Sequence, residues 1–517
     1  MASTGLKRSI SKESMYFTIF LISIISYIGF LVFNYHFNMS AKHDDAVIVV
    51  LSWLGIFIGI YVVLSWYKLT GELLSLYTIF MTFFFLFNYG QPLMWAFGIH
   101  QADEIGQGYL YLLGKATSGT IIYTQMLILI SIIMFHLGSV FCYKPKKNNG
   151  SISLTENKLY RKSIFYTTFL LSIIVIPVTF YNSIENLIYA KAHSYHALYY
   201  GEDTPGNSLL GIIQFLFFPC LVGFLVGSNY HRKIKLFVYI IFTFYLIINL
   251  LYGDRGSWIY YLLILIFMSH AFYKKLRWKK MFTYLLGGIM FLYFVDAIVT
   301  LRNTGISVGN VLEALSLKNS PIVSAIFEMG GSMQPTLVLI QYGWDIWPYG
   351  NTYLNSILGL VSSKIFSLFN VPFETVSVWF SQKYLGISYG AAFSIVAEPL
   401  INYGPIITPL FMVLMGYIIT SLTYLDKYVN IDKHPLRVFF CVSTMSAFLP
   451  IVRNHSHYVL KYWFFGVLIY CILIYFMNGF LKKRYYFKDE TIYENMTSQK
   501  EGIQFVKKNH IRNRNAI

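Results

Sequence analysis

Charge is what this chain has least of. Asp, Glu, Lys and Arg make up 12% of its 517 residues, about half of what soluble domains carry. Hydrophobic residues reach 56%, so too few polar side chains remain to coat a water-facing surface. That excludes a soluble multidomain enzyme and a disordered chain. Cysteine is scarce too: Cys142, Cys220, Cys441 and Cys471 lie in or beside apolar runs without metal-ligand spacing. They read as packing residues, so neither a disulfide scaffold nor a zinc site is expected. No P-loop, no Gly-x-Gly-x-x-Gly after a strand and no Gly-x-Ser-x-Gly elbow occurs, which removes the usual support for nucleotide-driven transport and serine hydrolysis. Alternating strands are missing as well, and with them an outer-membrane barrel.

What the chain has in quantity is long apolar runs and aromatics, with 43 Tyr and 45 Phe. A spanning helix takes about 20 mostly apolar residues. Runs of that kind occur at 15–36, 46–66, 73–97, 119–142, 163–183, 208–229, 235–252, 256–273, 281–301, 400–425, 436–452 and 457–480. The expected fold is therefore an all-α polytopic bundle of about twelve membrane helices. The first run follows Lys7, Arg8 and Lys12 but exceeds a signal-peptide core and precedes no small-residue cleavage site, so it reads as a retained anchor.

The net charge of +17 is not spread evenly. Thirty Lys and Arg fall in alternate loops on one side, nine fall in the loops between them, and Lys461 lies inside a run. This is the positive-inside pattern, which places both termini in the cytoplasm and makes the basic excess a membrane signal rather than a nucleic-acid footprint. Four regions result: spans one to nine in 1–301, a large extracytoplasmic loop in 302–399, spans ten to twelve in 400–480, and a basic cytoplasmic tail in 481–517. The loop holds Trp344, Trp347 and Trp379 and short amphipathic patterns, as expected of helices lying against the outer leaflet. Its stretch 353–370 contains Ser356, Ser362, Ser363 and Lys364, so it is expected to lie on the surface or fold back rather than span.

Three outward cations are arginines. Arg255 sits in the turn Gly253-Asp254-Arg255-Gly256, Arg302 ends the ninth run, and Arg453 opens Arg453-Asn454-His455-Ser456-His457. Guanidinium binds phosphate oxygens in bidentate fashion, so three such groups converging at one rim would form a pyrophosphate clamp. The plainer reading is three side chains reaching separately for headgroups. His455 and His457 are candidate proton acceptors, and a metal pair lacks a third ligand nearby. Glu398, entering the tenth run, suits either a base or an ion pair with an arginine; Asp254 and Asp296 pose the same choice.

Tyr349-Gly350-Asn351-Thr352-Tyr353, with Ser394, Glu398, Asn402, Tyr403 and Gly404 further on, resembles the pattern of Wzy-type O-antigen and capsule repeat-unit polymerases. The Gly253–Gly256 turn is similar to the Gly/Ser-x-Arg-Gly turn of that family, while Pro399 stands where Ala or Leu is more usual. The resemblance implies a bacterial inner-membrane glycosyltransferase that joins undecaprenyl-pyrophosphate-linked oligosaccharide repeat units, without a cofactor or metal. It also leaves room for a partner that regulates chain length. On that reading Arg255, Arg302 and Arg453 bind pyrophosphate, and Glu398, His455 or His457 takes a proton. The alternatives are an O-antigen ligase, which transfers once, and a lipid-linked oligosaccharide flippase or exporter, for which two similar halves and short loops are expected. A membrane acyltransferase would instead carry its histidine inside a span.

Overall fold

Long apolar stretches have one way to satisfy their backbone in lipid, and the chain takes it. Its computed structural model is helical, with no strand among the described residues. It describes residues 2–39, 41, 43–105, 115–143, 154–193, 208–252, 257–277, 279, 283, 286–287, 320–361, 366, 373–387, 393–426 and 429–484. Ten described helices are long and apolar enough to cross a membrane, as closed intrahelical hydrogen bonding requires. The helices that build the frame are α1 (Ala2–His36), α2 (Asp45–Thr70), α3 (Leu76–Ala96), α4 (Ser118–Cys142) and α5 (Leu154–His193). They are followed by α6 (Ser208–Gln214), α7 (Phe217–Gly227), α8 (Arg232–Tyr252) and α9 (Ser257–Met268). After them come α10 (Pro321–Gly330), α11 (Gln334–Tyr342), α12 (Thr352–Val361), α13 (Ala397–Thr423), α14 (Pro435–Phe448) and α15, which starts at Ser456.

Helices α1 and α4 run in opposite directions between the two ends of the bundle, as side-chain contacts show. At one end Gly119, opening α4, lies against the Met39 backbone, and the Tyr123 hydroxyl donates to Asn34 near the end of α1. At the other, Tyr16 donates to the Tyr143 carbonyl (2.7 Å) and Tyr143 to the Leu69 carbonyl (3.2 Å), with Tyr424 edge-on to Tyr143. This second end also carries the Arg161–Asp432 and Lys482–Glu156 pairs.

Nine of the ten long apolar helices coincide with runs anticipated above. The tenth, Ile322–Tyr342, comprises α10 and α11 and lies within the stretch read as a loop. Its contacts keep both of its ends at the first end of the bundle. Phe327 stacks on His100, beyond the end of α3, at 4.0 Å, and the Gln341 amide donates to the Lys115 carbonyl (3.1 Å) before α4 begins. The segment dips alongside α3 and returns, breaking its α geometry at Gly331–Met333. Of the run at 256–273, Trp258–Tyr273 forms a shorter apolar helix; the run at 281–301 falls almost wholly outside the described residues.

The tightest pairing joins α4 and α13. A side chain at Gly138 would meet the Val413 carbonyl, and one at Gly416 the Phe135 carbonyl, while Ser139 donates to the Gly416 carbonyl (3.3 Å). Small residues of this kind let backbones approach where lipid supplies no hydrophobic drive between helices. In an open helix, Gly→Ala gains about 1 kcal/mol. Here the added methyl has carbonyl oxygen in its place, and overpacking costs about 1–3 kcal/mol. Gly416→Ala is therefore expected to lower the Tm of the detergent-solubilised protein, whereas Gly29→Ala, with nothing within 4 Å, is expected to leave it level or raise it. A higher Tm for Gly416→Ala would refute the close-contact account.

Candidate functional site at the first end of the bundle

Glu398 lies one residue into α13 and is 2% exposed. Ser394 positions the start of this helix by accepting from the Ala397 amide (3.0 Å), the usual work of a short polar residue before a helix. The Glu398 carboxylate accepts three bonds: Oε1 from the Thr352 hydroxyl (2.9 Å) and the Ser456 hydroxyl (2.6 Å), Oε2 from the Ser456 amide (2.7 Å). No arginine or lysine among the described residues pairs with it. The donors belong to the first residues of α12 and α15, so one carboxylate ties three helix starts together.

Asn402, one turn further along α13, completes the joint. Its side-chain amide donates to the Thr352 hydroxyl (2.7 Å), and its oxygen accepts the Thr352 amide (2.8 Å). Asn351 caps α12 by accepting from Tyr353 and Leu354, and donates to the Tyr403 hydroxyl (2.9 Å). The two segments that carried the resemblance, 349–353 and 394–404, thus fold directly against each other.

This joint fixes the turn that bears the histidines. Ser456 and Ser356 share a hydroxyl–hydroxyl bond (2.7 Å), and the His457 Nδ1 lies 3.2 Å from the Ser356 carbonyl. A carbonyl only accepts, so Nδ1 carries the hydrogen and neutral His457 keeps its Nε2 lone pair free. The ring stands edge-on to Phe373 and borders a small pocket with Asn355, Glu374 and Trp347. His455 lies parallel to it, ring centroids 6.4 Å apart, with Nδ1 2.8 Å from the Ser377 hydroxyl. Burial, with His457 beside it, pushes His455 down to about 3, so it is uncharged at cellular pH.

Arg453, exposed and three residues before Ser456, sits with its guanidinium 6.0 Å from the Phe87 ring centroid. No described carboxylate pairs with it. Phe87 also meets Tyr260, in the first turn of α9 (6.1 Å). The structure therefore gathers Glu398, His455, His457 and Arg453 at one end of the bundle. Arg255, Arg302, Asp254 and Asp296 lie outside the described residues. Sequence reasoning passed over Thr352, Ser356, Ser456, Ser377, Asn355 and Glu374. For Thr352 a signal existed, since it belongs to the 349–353 segment; the serines and Asn355 are common residue types with no distinguishing spacing, and Glu374 lies in no motif. The three or more His, Cys, Asp or Glu side chains that a metal ion would need do not cluster among the described residues.

Two outcomes are expected. Glu398→Ala leaves the Ser456 amide and two buried hydroxyls without their acceptor, at about 1–3 kcal/mol for an unsatisfied group, and should lower the Tm; an unchanged Tm would show the joint to be unimportant. For His455 the unfolded ring takes a proton near pH ~6.5, whereas the folded one waits until about 3. The unfolded state binds more protons in between, so stability falls as pH drops below about 6.5, by about 2 kcal/mol at pH ~5. His455→Asn should flatten the decline of Tm between those two pH values, and an equally steep decline would contradict the assignment.

Comparison with known families matches the family described as O-antigen polysaccharide polymerase Wzy over residues 14–484. No curated protein and no solved structure gives a significant match. With nearly its whole length matched, including the 349–353 and 394–404 segments that meet at Glu398, the chain belongs to the O-antigen polysaccharide polymerase Wzy family.

Proposed function

We propose that this polymerase is a glycosyltransferase of the bacterial inner membrane, with both termini cytoplasmic and the Glu398 end of the bundle facing outward. Its substrates on this reading are undecaprenyl-pyrophosphate-linked oligosaccharides, one as donor and one as acceptor. The acceptor hydroxyl attacks the anomeric carbon of the donor chain. An oxygen–carbon bond forms, the bond to pyrophosphate breaks with its electron pair, and the hydroxyl proton passes to His457 Nε2. Arg453 meets the charge that develops on the departing pyrophosphate, where positioned donors count most. Arg255 and Arg302 complete that clamp; in support, Tyr260, just after the Arg255 turn, packs on the same Phe87 ring that Arg453 approaches.

The observation that carries this reading is the His457 ring. Its Nδ1–H is held by the Ser356 carbonyl, so Nε2 is the basic nitrogen, four residues from an arginine with no described counter-ion. Glu398 acts through Ser456 and is a positioning residue on this account, three of its acceptor sites being already engaged.

The test is purified protein with lipid-linked repeat unit, products resolved by length. A ladder is expected, whereas a ligase gives one transfer and an exporter gives none. Arg453→Ala and His457→Gln should each cut polymer by about 100-fold or more, with Arg453→Lys recovering part through charge alone. Full ladders from Arg453→Ala and His457→Gln would overturn the proposal.

A further inference from the structure

Beside His457 lies a cavity of about 10 Å³, room for one water-sized group. His457, Asn355, Ser356, Glu374, Thr375 and Trp347 border it. Three features of its wall suggest what the occupant is. The Trp347 indole N–H is buried without an acceptor, a condition that costs free energy until something fills it. Glu374 supplies a carboxylate that is mostly sheltered, held by Lys383 at 2.7 Å, with the Lys383 ammonium itself more than half exposed. His457 supplies the free Nε2 derived above. The wall thus presents one buried donor without an acceptor beside a carboxylate and an imidazole nitrogen that can each accept a further bond. Among common groups of this size, an O–H group, whether a resting water or a substrate hydroxyl that displaces it, satisfies both sides at once: its oxygen accepts from the indole while its hydrogen goes to carboxylate or imidazole. A carbonyl lacks the hydrogen, and an ammonium lacks the lone pair.

The surroundings fit a sugar rather than an isolated alcohol. Trp347 stands edge-on to Tyr349 (5.1 Å) and to Trp379 (5.2 Å), and Trp379 stacks on Tyr384 (5.8 Å). This aromatic cluster backs the Trp347 wall of the slot, the kind of surround that suits the apolar face and polar edge of a pyranose. Glu398 does not border the slot and already accepts three bonds from Thr352 and Ser456.

We propose that this slot is the acceptor-sugar subsite, in which Glu374 and Trp347 hold a hydroxyl of the incoming repeat unit and so decide which sugar oxygen reaches His457. The inference rests on the polymerase reading and names the acceptor side of the same site. Bond formation is as given above: the acceptor oxygen joins the anomeric carbon, its proton goes to His457, and the pyrophosphate leaves with the bonding pair. Glu374 takes no proton in the step; it orients the acceptor through a hydrogen bond.

The experiment uses the full-length protein with radiolabelled lipid-linked repeat unit and follows two products, polymer and freed undecaprenyl pyrophosphate. Glu374→Ala and Trp347→Phe should lose about 10-fold or more and about 5-fold of polymer, respectively. Pyrophosphate release by water should persist in both, since the donor side is intact. Linkage analysis of the residual Glu374→Ala polymer should show a second linkage. Wild-type levels of polymer with a single linkage in both variants would overturn the subsite. Loss of both products in Trp347→Phe, which keeps an aromatic side chain while removing the N–H with the five-membered ring, would overturn it too, because that pattern marks a structural role. Should the wild-type protein release no pyrophosphate and build no polymer, the polymerase reading itself falls, an outcome distinct from either of these.

Discussion

A carboxylate buried without a cation persists only where fixed donors replace the water it has lost. At Glu398 those donors are the Thr352 hydroxyl and both the hydroxyl and the amide of Ser456. Each donor is the first residue of a helix, so the requirement to solvate one carboxylate locks three helix starts in mutual register. The rest of the site hangs from that lock. Ser456 carries His455 and His457 on either side, Ser356 links to Ser456, and its carbonyl sets the hydrogen of His457. A lone imidazole on a surface turn would sample either tautomer. This one is committed by a chain of contacts that begins at Glu398.

The frame beneath works by different physics. In lipid, association of helices draws on close packing rather than on expulsion of water. The α4–α13 contact through Gly138 and Gly416 is the clearest case, with backbone oxygen where a side chain would start. At the rim, by contrast, the polar joint has hydrogen bonds available and uses them. The division explains why α13 carries an exposed apolar face (Ile407, Leu410 and Leu414 are about half exposed) while Glu398 and Asn402 on the same helix are committed to hydrogen bonds.

Much of this was legible in the sequence, unevenly and for identifiable reasons. Long apolar runs announce themselves by length, and nine reappear as long helices. Residues 322–342 did not, because Glu328, Gln334, Pro335 and Gln341 dilute a run whose mean hydropathy is only 1.2. That segment dips beside α3 without leaving the rim, a geometry for which hydropathy has no signature. Glu398, His455, His457 and Arg453 stood out as rare charged or titratable groups beside apolar runs, and they do meet at one end. Their roles were not readable, since the difference between a base and a positioning carboxylate lies in partners separated by tens of residues. Ser456 is 58 positions from Glu398 and Ser356 is 100 from Ser456. Serine and threonine are too frequent for any single one to signal such a bond. Glu374 went unremarked for the same reason: only the fold brings it beside His457.

The shape of α13 connects the two regimes. Its helix is interrupted at Gly404, where φ is 73° and ψ is 175°, and Pro405 follows. Proline removes one hydrogen bond of the ladder and positive φ is readily reached only by glycine, so the sequence specifies a kink at this point rather than tolerating one. The Trp344 indole nitrogen lies about 3.0 Å from where a Cβ at 404 would be, so a larger residue would also have to displace that side chain. Below the kink the helix runs against α4 in a direction fixed by Gly416. Above it, the two turns bearing Glu398 and Asn402 are free to take the different direction that α12 and α15 impose. A straight helix would have to satisfy both sets of contacts along one axis. The glycine of the Asn402-Tyr403-Gly404 segment therefore has its physical role away from the reacting groups: it lets a packing helix end in a support for a polar site.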